Sequence, residues 1–303
     1  MMQSKVFIIP THHAFSFKEC AWFLHRNFDD CMHLVKNDTI YKALLFDDVP
    51  VLFSISAHPA GLQVQVLNAE LHEPLQQYIA SYIQDWFDLD RNIAPFYVRL
   101  SVHPVLAYMR ESYAGLRLIG IVDLFEALCW SIIGQQINLP FAYKMKRRMV
   151  EKFGTTLTYN DEKFYIFPTP QQLLTASIDD LRAMQFSQKK AEYVLTLAQA
   201  FADGSLSKPQ LANLPSLTDK QKALTSLRGI GIWTANYALM KSLHELSCVP
   251  HGDVGLLKAL EQHSIIAQRN ETGKIETLFK DFAGWEAYLV IYLWRTLAKM
   301  PGE

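Results

Sequence analysis

Thr225-Ser-Leu-Arg-Gly-Ile-Gly-Ile-Trp-Thr-Ala-Asn-Tyr237 is the stretch that decides the fold. Its Leu227-x-Gly229-x-Gly231 core joins two helix-compatible runs, 218–227 and 232–243. Two glycines let the backbone turn tightly and bring bare N–H groups at a helix start against a phosphate oxygen. The positive end of the helix macrodipole adds to that attraction. Such a loop grips nucleic acid through the backbone alone. A short GxG is a weak signal by itself, so the reading depends on what surrounds it: aromatics at 233 and 237, and the carboxylate of Pro250-His-Gly-Asp253 downstream.

With 303 residues, the chain is long enough for two or three domains with their own cores. Half of it is hydrophobic and 19% is charged, an ordinary globular composition. A net charge of −1 excludes a lysine-coated polyanion binder, so any nucleic-acid contact must be local. The clearest basic cluster is Lys144, Lys146, Arg147 and Arg148. It reads first as a solvated helix face and, in the context of the hairpin, as a flank for DNA phosphates. The four cysteines, 20, 31, 129 and 248, contain no Cys-x-x-Cys pair. That spacing excludes a zinc ribbon or a four-cysteine iron–sulfur loop and fits buried, reduced thiols in the cytoplasm. The first residues lack a secretion pattern, and no apolar run reaches the length of about 20 residues that a bilayer requires.

Residues 1–90 read as an α+β unit. Short runs rich in Val, Ile, Leu and Phe at 31–37, 39–46, 51–57 and 62–67 are separated by Asn37-Asp38, Asp47-Asp48 and Pro59-Ala-Gly61. The pattern predicts an antiparallel sheet of at least four strands, flanked by helices at 16–28 and 73–86. Beyond Asp90 strand signals nearly vanish, and residues 91–303 read as an all-helical region with two lobes and a cleft between them. Capping-box signals open at Asp123, Ser177 and Thr218, prolines punctuate the runs, and 285–297 carries apolar residues at helical spacing.

Asp253 precedes a helical run at 254–263 and reads first as its N-cap. A cap held by backbone amides also fixes a carboxylate rigidly beside a cleft, so the two roles coexist. Trp233 and Tyr237 are four apart and share one helix face. Trp285 opens the last helix. Any one of the three is most simply a core aromatic. Together they suit the walls of a pocket for a flipped base, most of all a cationic one.

Four segments then occur in a telling order: Asp123-Leu-Phe-Glu-Ala-Leu, Ile132-Ile-Gly-Gln-Gln-Ile137, Leu227–Tyr237 and Pro250-His-Gly-Asp253. Together they resemble the helix-hairpin-helix DNA glycosylase superfamily, and within it the alkylation-repair branch, the DNA-3-methyladenine glycosylase II family. The resemblance covers nearly the whole chain. It implies that Asp253 is the catalytic aspartate and that the Gly229 and Gly231 amides hold a DNA phosphate. It implies base-pocket roles for Trp233, Tyr237, Trp285 and, from the first unit, Phe23. Gln136 matches the position that wedges into the stack, and the carbonyls of Thr225, Leu227 and Ile230 match those that bind a monovalent cation. No cofactor is implied for catalysis.

Three positions set this chain apart within the family. The wedge is Gln136 where well-known members carry leucine, and Val254 stands where some carry a pocket tyrosine. Trp233 occupies the place where bifunctional members keep a Schiff-base lysine, which removes lyase chemistry by that route. The expected protein is a monomeric, monofunctional glycosylase that excises alkylated purines from duplex DNA in the cytoplasm, at the nucleoid in a bacterium. Its rivals are an oxidised-base or mismatch glycosylase of the same superfamily and a non-catalytic helix-hairpin-helix DNA-binding protein.

Overall fold

Paired turn residues with positive φ organise the sheet. Asn37-Asp38 (φ 51° and 53°) and Asp47-Asp48 (φ 47° and 61°) make two-residue hairpin turns whose twist matches that of the strands they join. The structure, a computed structural model, describes residues 5–25 and 29–297. Strands β1 (Val6–Pro10), β2 (Leu34–Lys36), β3 (Thr39–Phe46), β4 (Val49–His58) and β5 (Gly61–Val66) form one antiparallel sheet in the order β1-β5-β4-β3-β2. Helix α1 (Phe17–Leu24) lies between β1 and β2 in the chain, capped by Ser16, and α2 (Glu73–Trp86) follows β5. The expected end of the first helix at Phe28 lies outside the described residues.

Alternation sets the register. Val51, Phe53 and Ile55 on β4 and Leu62, Val64 and Val66 on β5 face the main core, where α2 contributes Leu75, Ile79, Ile83 and Trp86 at helical spacing. The opposite face buries Ala43 and Leu52 against Phe164 and Ile166. Those two belong to a second sheet that the sequence reading placed in all-helical territory, the hairpin β6 (Thr155–Tyr159) and β7 (Glu162–Ile166). It turns at Asn160-Asp161, again with positive φ, and covers the back of the first sheet.

The remainder is helical: α3 (Ala94–Val102), α4 (Met109–Ser112), α5 (Leu124–Gly134), α6 (Leu139–Phe153), then α7 (Pro170–Leu173), α8 (Ile178–Ala183), α9 (Gln188–Ala202), α10 (Lys208–Ala212), α11 (Leu217–Thr225), α12 (Ile232–Ser242), α13 (Val254–Gln262), α14 (Thr272–Asp281) and α15 (Glu286–Arg295). Ser177 forms a full capping box on α8. Asp123 caps α5 alone, because Glu126 turns away to pair with Lys146 at 2.8 Å. The cap of α11 is Ser216 rather than Thr218.

Buried charges lock the first unit to the last helix. Arg295 on α15 pairs with Glu19 of α1 at 2.7 Å and lies 3.7 Å above the Trp22 ring. Tyr288 donates to Asp88 at 2.7 Å, and the fully buried Arg117 donates to the Asp88, Ala14 and Arg91 carbonyls. Removing one partner of such a buried pair strands the other, at a cost of about 3–5 kcal/mol. These contacts fix how α15 presents its remaining face to α13.

Candidate functional site

Asp253 is the N-cap of α13, as its sequence position implies. Its Oδ1 accepts the Leu256 N–H at 2.7 Å. The same oxygen accepts the indole N–H of Trp294 at 2.9 Å, so a backbone and a side-chain donor fix the carboxylate together. Burial pushes the Asp253 carboxyl above its ordinary value, and the donors at Leu256, Trp294 and Gly255 oppose that rise. Gly252, at φ 83°, makes the tight approach, and the Asp253 N–H closes the turn on the Pro250 carbonyl at 3.0 Å. Asn236 of α12 steadies this loop from below, donating to the Val249 carbonyl at 2.9 Å while accepting from Gln221. Gly255 leaves the space that the site needs, since a Cβ there would lie 3.1 Å from Asp253 Oδ1 and 3.4 Å from Trp294 Nε1.

Trp233 and Tyr237 stack on the α12 face at 5.6 Å with an interplanar angle of 20°. Tyr237 in turn lies 6.4 Å from the Trp294 ring and accepts the Trp130 indole N–H at 3.1 Å. An aromatic wall therefore runs from Trp233 through Tyr237 to Trp294 and ends at Asp253. Trp285 lies elsewhere: half-buried at the start of α15, its ring packs against the core on Phe96 at 6.1 Å and on Tyr288 at 5.6 Å. The aromatic that this helix brings to the carboxylate is Trp294, which the sequence reading did not single out. The two tryptophans are nine positions apart, and only the crossing of α13 and α15 shows which one meets Asp253.

Phe23 is buried at a cavity of about 70 Å³ whose walls include Tyr237, Trp130, Tyr143, Lys146 and Lys241. The Lys241 ammonium, which donates to the Ile119 carbonyl, lies 5.1 Å from the Phe23 ring. Phe23 and Tyr237 thus share this cavity, whereas Trp233, Trp285 and Asp253 do not line it. Its other face is ionic. Lys146 pairs with Glu126 and, at 3.4 Å, with Asp30, and it approaches the Trp130 ring at 5.5 Å. Those carboxylates hold the Lys146 ammonium well above the usual lysine range despite its burial. The basic run is accordingly no uniform solvated face: Lys146 points inward, and Arg147 pairs with Asp29 and Glu151.

The hairpin spans the end of α11 and the start of α12. Gly229 has φ 92°, and a Cβ there would collide with the Tyr193 ring at 2.2 Å, so glycine is required. Gly231 is extended and meets nothing within 4 Å. It begins α12 without any side-chain cap, leaving the amides of the first turn available, and Ile232 beside it is 57% exposed. Thr225 is the last residue of α11, and the Leu227 carbonyl accepts the Ile230 N–H at 3.1 Å. Gln136 is exposed in the turn between α5 and α6 with φ 57°. The preceding Gln135 donates to the Gly229 carbonyl at 3.0 Å and to Thr234 Oγ1 at 3.1 Å, so the Gln136 turn and the hairpin adjoin. Val254, 64% exposed, begins α13 directly after Asp253.

Comparison with known proteins gives two family matches. Residues 129–283 match the HhH-GPD superfamily of base excision DNA repair proteins, and residues 23–128 match the N-terminal domain of 8-oxoguanine DNA glycosylase. A DNA-3-methyladenine glycosylase of Bacillus subtilis (strain 168) is 35% identical over 297 residues, covering 96% of this chain and 97% of that protein. DNA-3-methyladenine glycosylase 2 of Escherichia coli (strain K12) is 30% identical over 207 residues, 67% of this chain and 68% of its own. Among solved structures, the 3-methyladenine DNA-glycosylase of Archaeoglobus fulgidus superposes with a TM-score of 0.80 at 22% identity, covering 94% of this chain and 96% of its own. The 8-oxoguanine glycosylase/lyase of Clostridium acetobutylicum, bound to double-stranded DNA, superposes at 0.72 with 17% identity and covers 96% and 97%. The last two likenesses concern the fold, which both lesion classes share.

Proposed function

The chain belongs to the HhH-GPD superfamily of base excision DNA repair proteins, and from that premise we propose that it is a monofunctional DNA glycosylase that releases cationic alkylated purines from duplex DNA. The observation that carries the reading is Asp253, fixed by Leu256 and Trp294 at the end of the aromatic wall of Trp233, Tyr237 and Trp294. Breaking the glycosidic bond sends the electron pair out with the base and leaves an oxocarbenium-like sugar. A preorganised carboxylate stabilises that charge, and water then adds to C1′ and loses its proton. An alkylated purine already carries positive charge, so it leaves without protonation by the enzyme. The aromatic faces attract such a base by about 0.5–2 kcal/mol. Position 233 offers an indole in place of an amine, which fits direct hydrolysis.

In this reading the Gly229 and Gly231 amides hold a phosphate, and Gln136 fills the stack as the base leaves. Unstacking costs a few kcal/mol, which the wedge and pocket contacts offset. In the same reading the carbonyls of Thr225, Leu227 and Ile230 would hold a monovalent cation that braces the hairpin, a charge that the negative end of α11 at Thr225 would favour. Catalysis itself draws on no cofactor. The working unit is a monomer on damaged duplex DNA, divided near residue 90 into a sheet unit and a helical core.

A second reading draws on the cavity beside Tyr237. There the ammonium groups of Lys42, Lys146 and Lys241 outnumber the carboxylates of Asp30 and Glu126 that also line it, a balance that suits a neutral purine with an exocyclic oxygen better than a cation. Base release from duplexes carrying 7-methylguanine, 3-methyladenine, hypoxanthine or 8-oxoguanine separates the two, each rate being divided by that lesion's spontaneous rate. The cationic lesions lead on the first reading. An 8-oxoguanine preference would move the chain to the oxidised-base branch.

A further inference from the structure

Helix α9 touches both loops that the proposed function brings to DNA. Lys190 of α9 donates at 2.7 Å to the Ile133 carbonyl and at 2.7 Å to the Gln135 carbonyl. It thereby ends α5 where that helix's own amides give out. One turn further along α9, Tyr193 supplies the ring against which Gly229 packs. Between these two supports, Gln135 crosses from the α5–α6 turn to the hairpin and donates to the Gly229 carbonyl and to Thr234 Oγ1. A helix C-cap needs none of these last contacts, since the Gln135 N–H already closes on the Ile132 carbonyl. The Gln135 amide therefore serves the joint between two loops rather than the end of one helix. Immediately after it, Gln136 adopts φ 57°, in the left-handed region that a glutamine enters less readily than glycine, asparagine or aspartate.

From this arrangement we propose that Gln135 and Lys190 are positioning residues that couple the phosphate grip to the wedge, so that a duplex seated on the hairpin amides meets Gln136 already aimed into the stack. The proposal rests on the reading of the hairpin as the grip and of Gln136 as the wedge. Neither Gln135 nor Lys190 touches the reacting bond. Their contribution is to keep a phosphate contact and an inserted side chain at one separation during base flipping. Burial lowers the Lys190 pKa while two carbonyls occupy its ammonium, so it acts as an internal strut and adds little to the general attraction for DNA.

The test compares single-turnover release of 7-methylguanine when the lesion is paired with cytosine and when it faces an abasic site, where flipping needs little help. Gln136→Ala, Gln135→Met, Lys190→Met, Lys190→Arg and the Gln135→Met/Gln136→Ala double variant are measured beside the wild type, with duplex affinity and Tm for each. The coupling predicts that Gln135→Met and Lys190→Met lose about tenfold or more on the paired lesion and less than about threefold on the unpaired one, because only the paired base must be unstacked. Lys190→Arg restores most of the loss. The double variant is no slower than Gln136→Ala, since one step cannot be lost twice. Equal losses on both substrates, or losses that follow Tm, would overturn the proposal and leave the two residues structural. If Gln136→Ala leaves the paired-to-unpaired ratio unchanged, the wedge reading fails and the coupling falls with it. If Gln136→Ala shifts that ratio and Gln135→Met does not, the coupling alone is refuted.

Discussion

Replacing Trp294 by Phe removes one hydrogen bond and keeps most of the ring. The bond lost is the 2.9 Å donation from the indole to Asp253 Oδ1, while the 2.7 Å donation from the Leu256 N–H keeps the cap in place. Hydrogen bonds to charged groups contribute about 1.5–3 kcal/mol, and partial access of water to Asp253 argues for the lower end. That corresponds to about tenfold in the carboxyl's ionisation equilibrium. The direction follows from the structure. Burial already raises the Asp253 pKa and the indole opposes the rise, so Trp294→Phe carries it further up. Catalysis needs the carboxylate, so activity is lost as pH falls through the folded-state pKa, and a higher pKa moves this acid limb to higher pH. The assay is single-turnover release of 7-methylguanine across about pH 4.5–8, corrected for spontaneous depurination. The expected profile keeps its high-pH plateau within a fewfold and shifts its acid limb upward. An acid limb that stays in place, or one that moves down, would refute the assignment of Trp294 as the residue that holds Asp253 ionised.

The remaining expectations concern chemistry, grip and packing. Borohydride should trap no covalent adduct with damaged DNA, because Trp233 stands where a lyase needs an amine; efficient trapping would show that another amine reaches C1′. Gly231→Val should fold normally, since nothing lies near its Cβ, and should weaken binding to damaged and undamaged duplexes alike. Gly229→Ala should instead lower Tm, through the clash with Tyr193 and the strained φ, and a stable Gly229→Ala protein would contradict that packing. Trp285→Ala should lower Tm through loss of a half-buried ring packed on Phe96 and Tyr288, while leaving the ratio of cationic to neutral lesion excision unchanged; a changed ratio would return Trp285 to the pocket.

Where local chemistry decides the structure, the sequence is a good guide. Asn37-Asp38 and Asp47-Asp48 mark the sheet's turns because a two-residue hairpin demands positive φ, and the alternation of 51–55 and 62–66 gives the buried face directly. The hairpin glycines and the capping Asp253 are legible for the same reason. The β6–β7 hairpin is not, although Asn160-Asp161 carries the same turn signal as the others. Its Thr and Lys residues look solvated until the back of the first sheet covers Phe164 and Ile166. Strand β1 is short, ends in Pro10 and gains its identity by pairing with β5. The site divides along the same line. Residues on one helix, Trp233 and Tyr237, can be placed together from their spacing, but Trp294, Gly255, Gln135 and Lys190 acquire their roles only when distant helices meet. Among six tryptophans, neither periodicity nor neighbours distinguish 294 from 285.

The most direct test of the account is Asp253→Asn in single-turnover release of 7-methylguanine, measured with duplex affinity and Tm. At a separation of about 4 Å and an effective dielectric constant of about 20, the carboxylate stabilises the sugar cation by about 4 kcal/mol, so the expected loss in rate is about a thousandfold. Asparagine caps a helix as well as aspartate does. Because the folded-state pKa of Asp253 is raised, its contribution to stability is present below the unfolded-state pKa and is lost as pH rises through the folded one, so at neutral pH the ionised group is a net cost. Asp253→Asn should therefore keep or slightly raise Tm and bind the lesion duplex as tightly as the wild type. Release within tenfold of the wild-type rate would remove the carboxylate from the mechanism, and a large fall in Tm with loss of binding would leave Asp253 as a cap and nothing more.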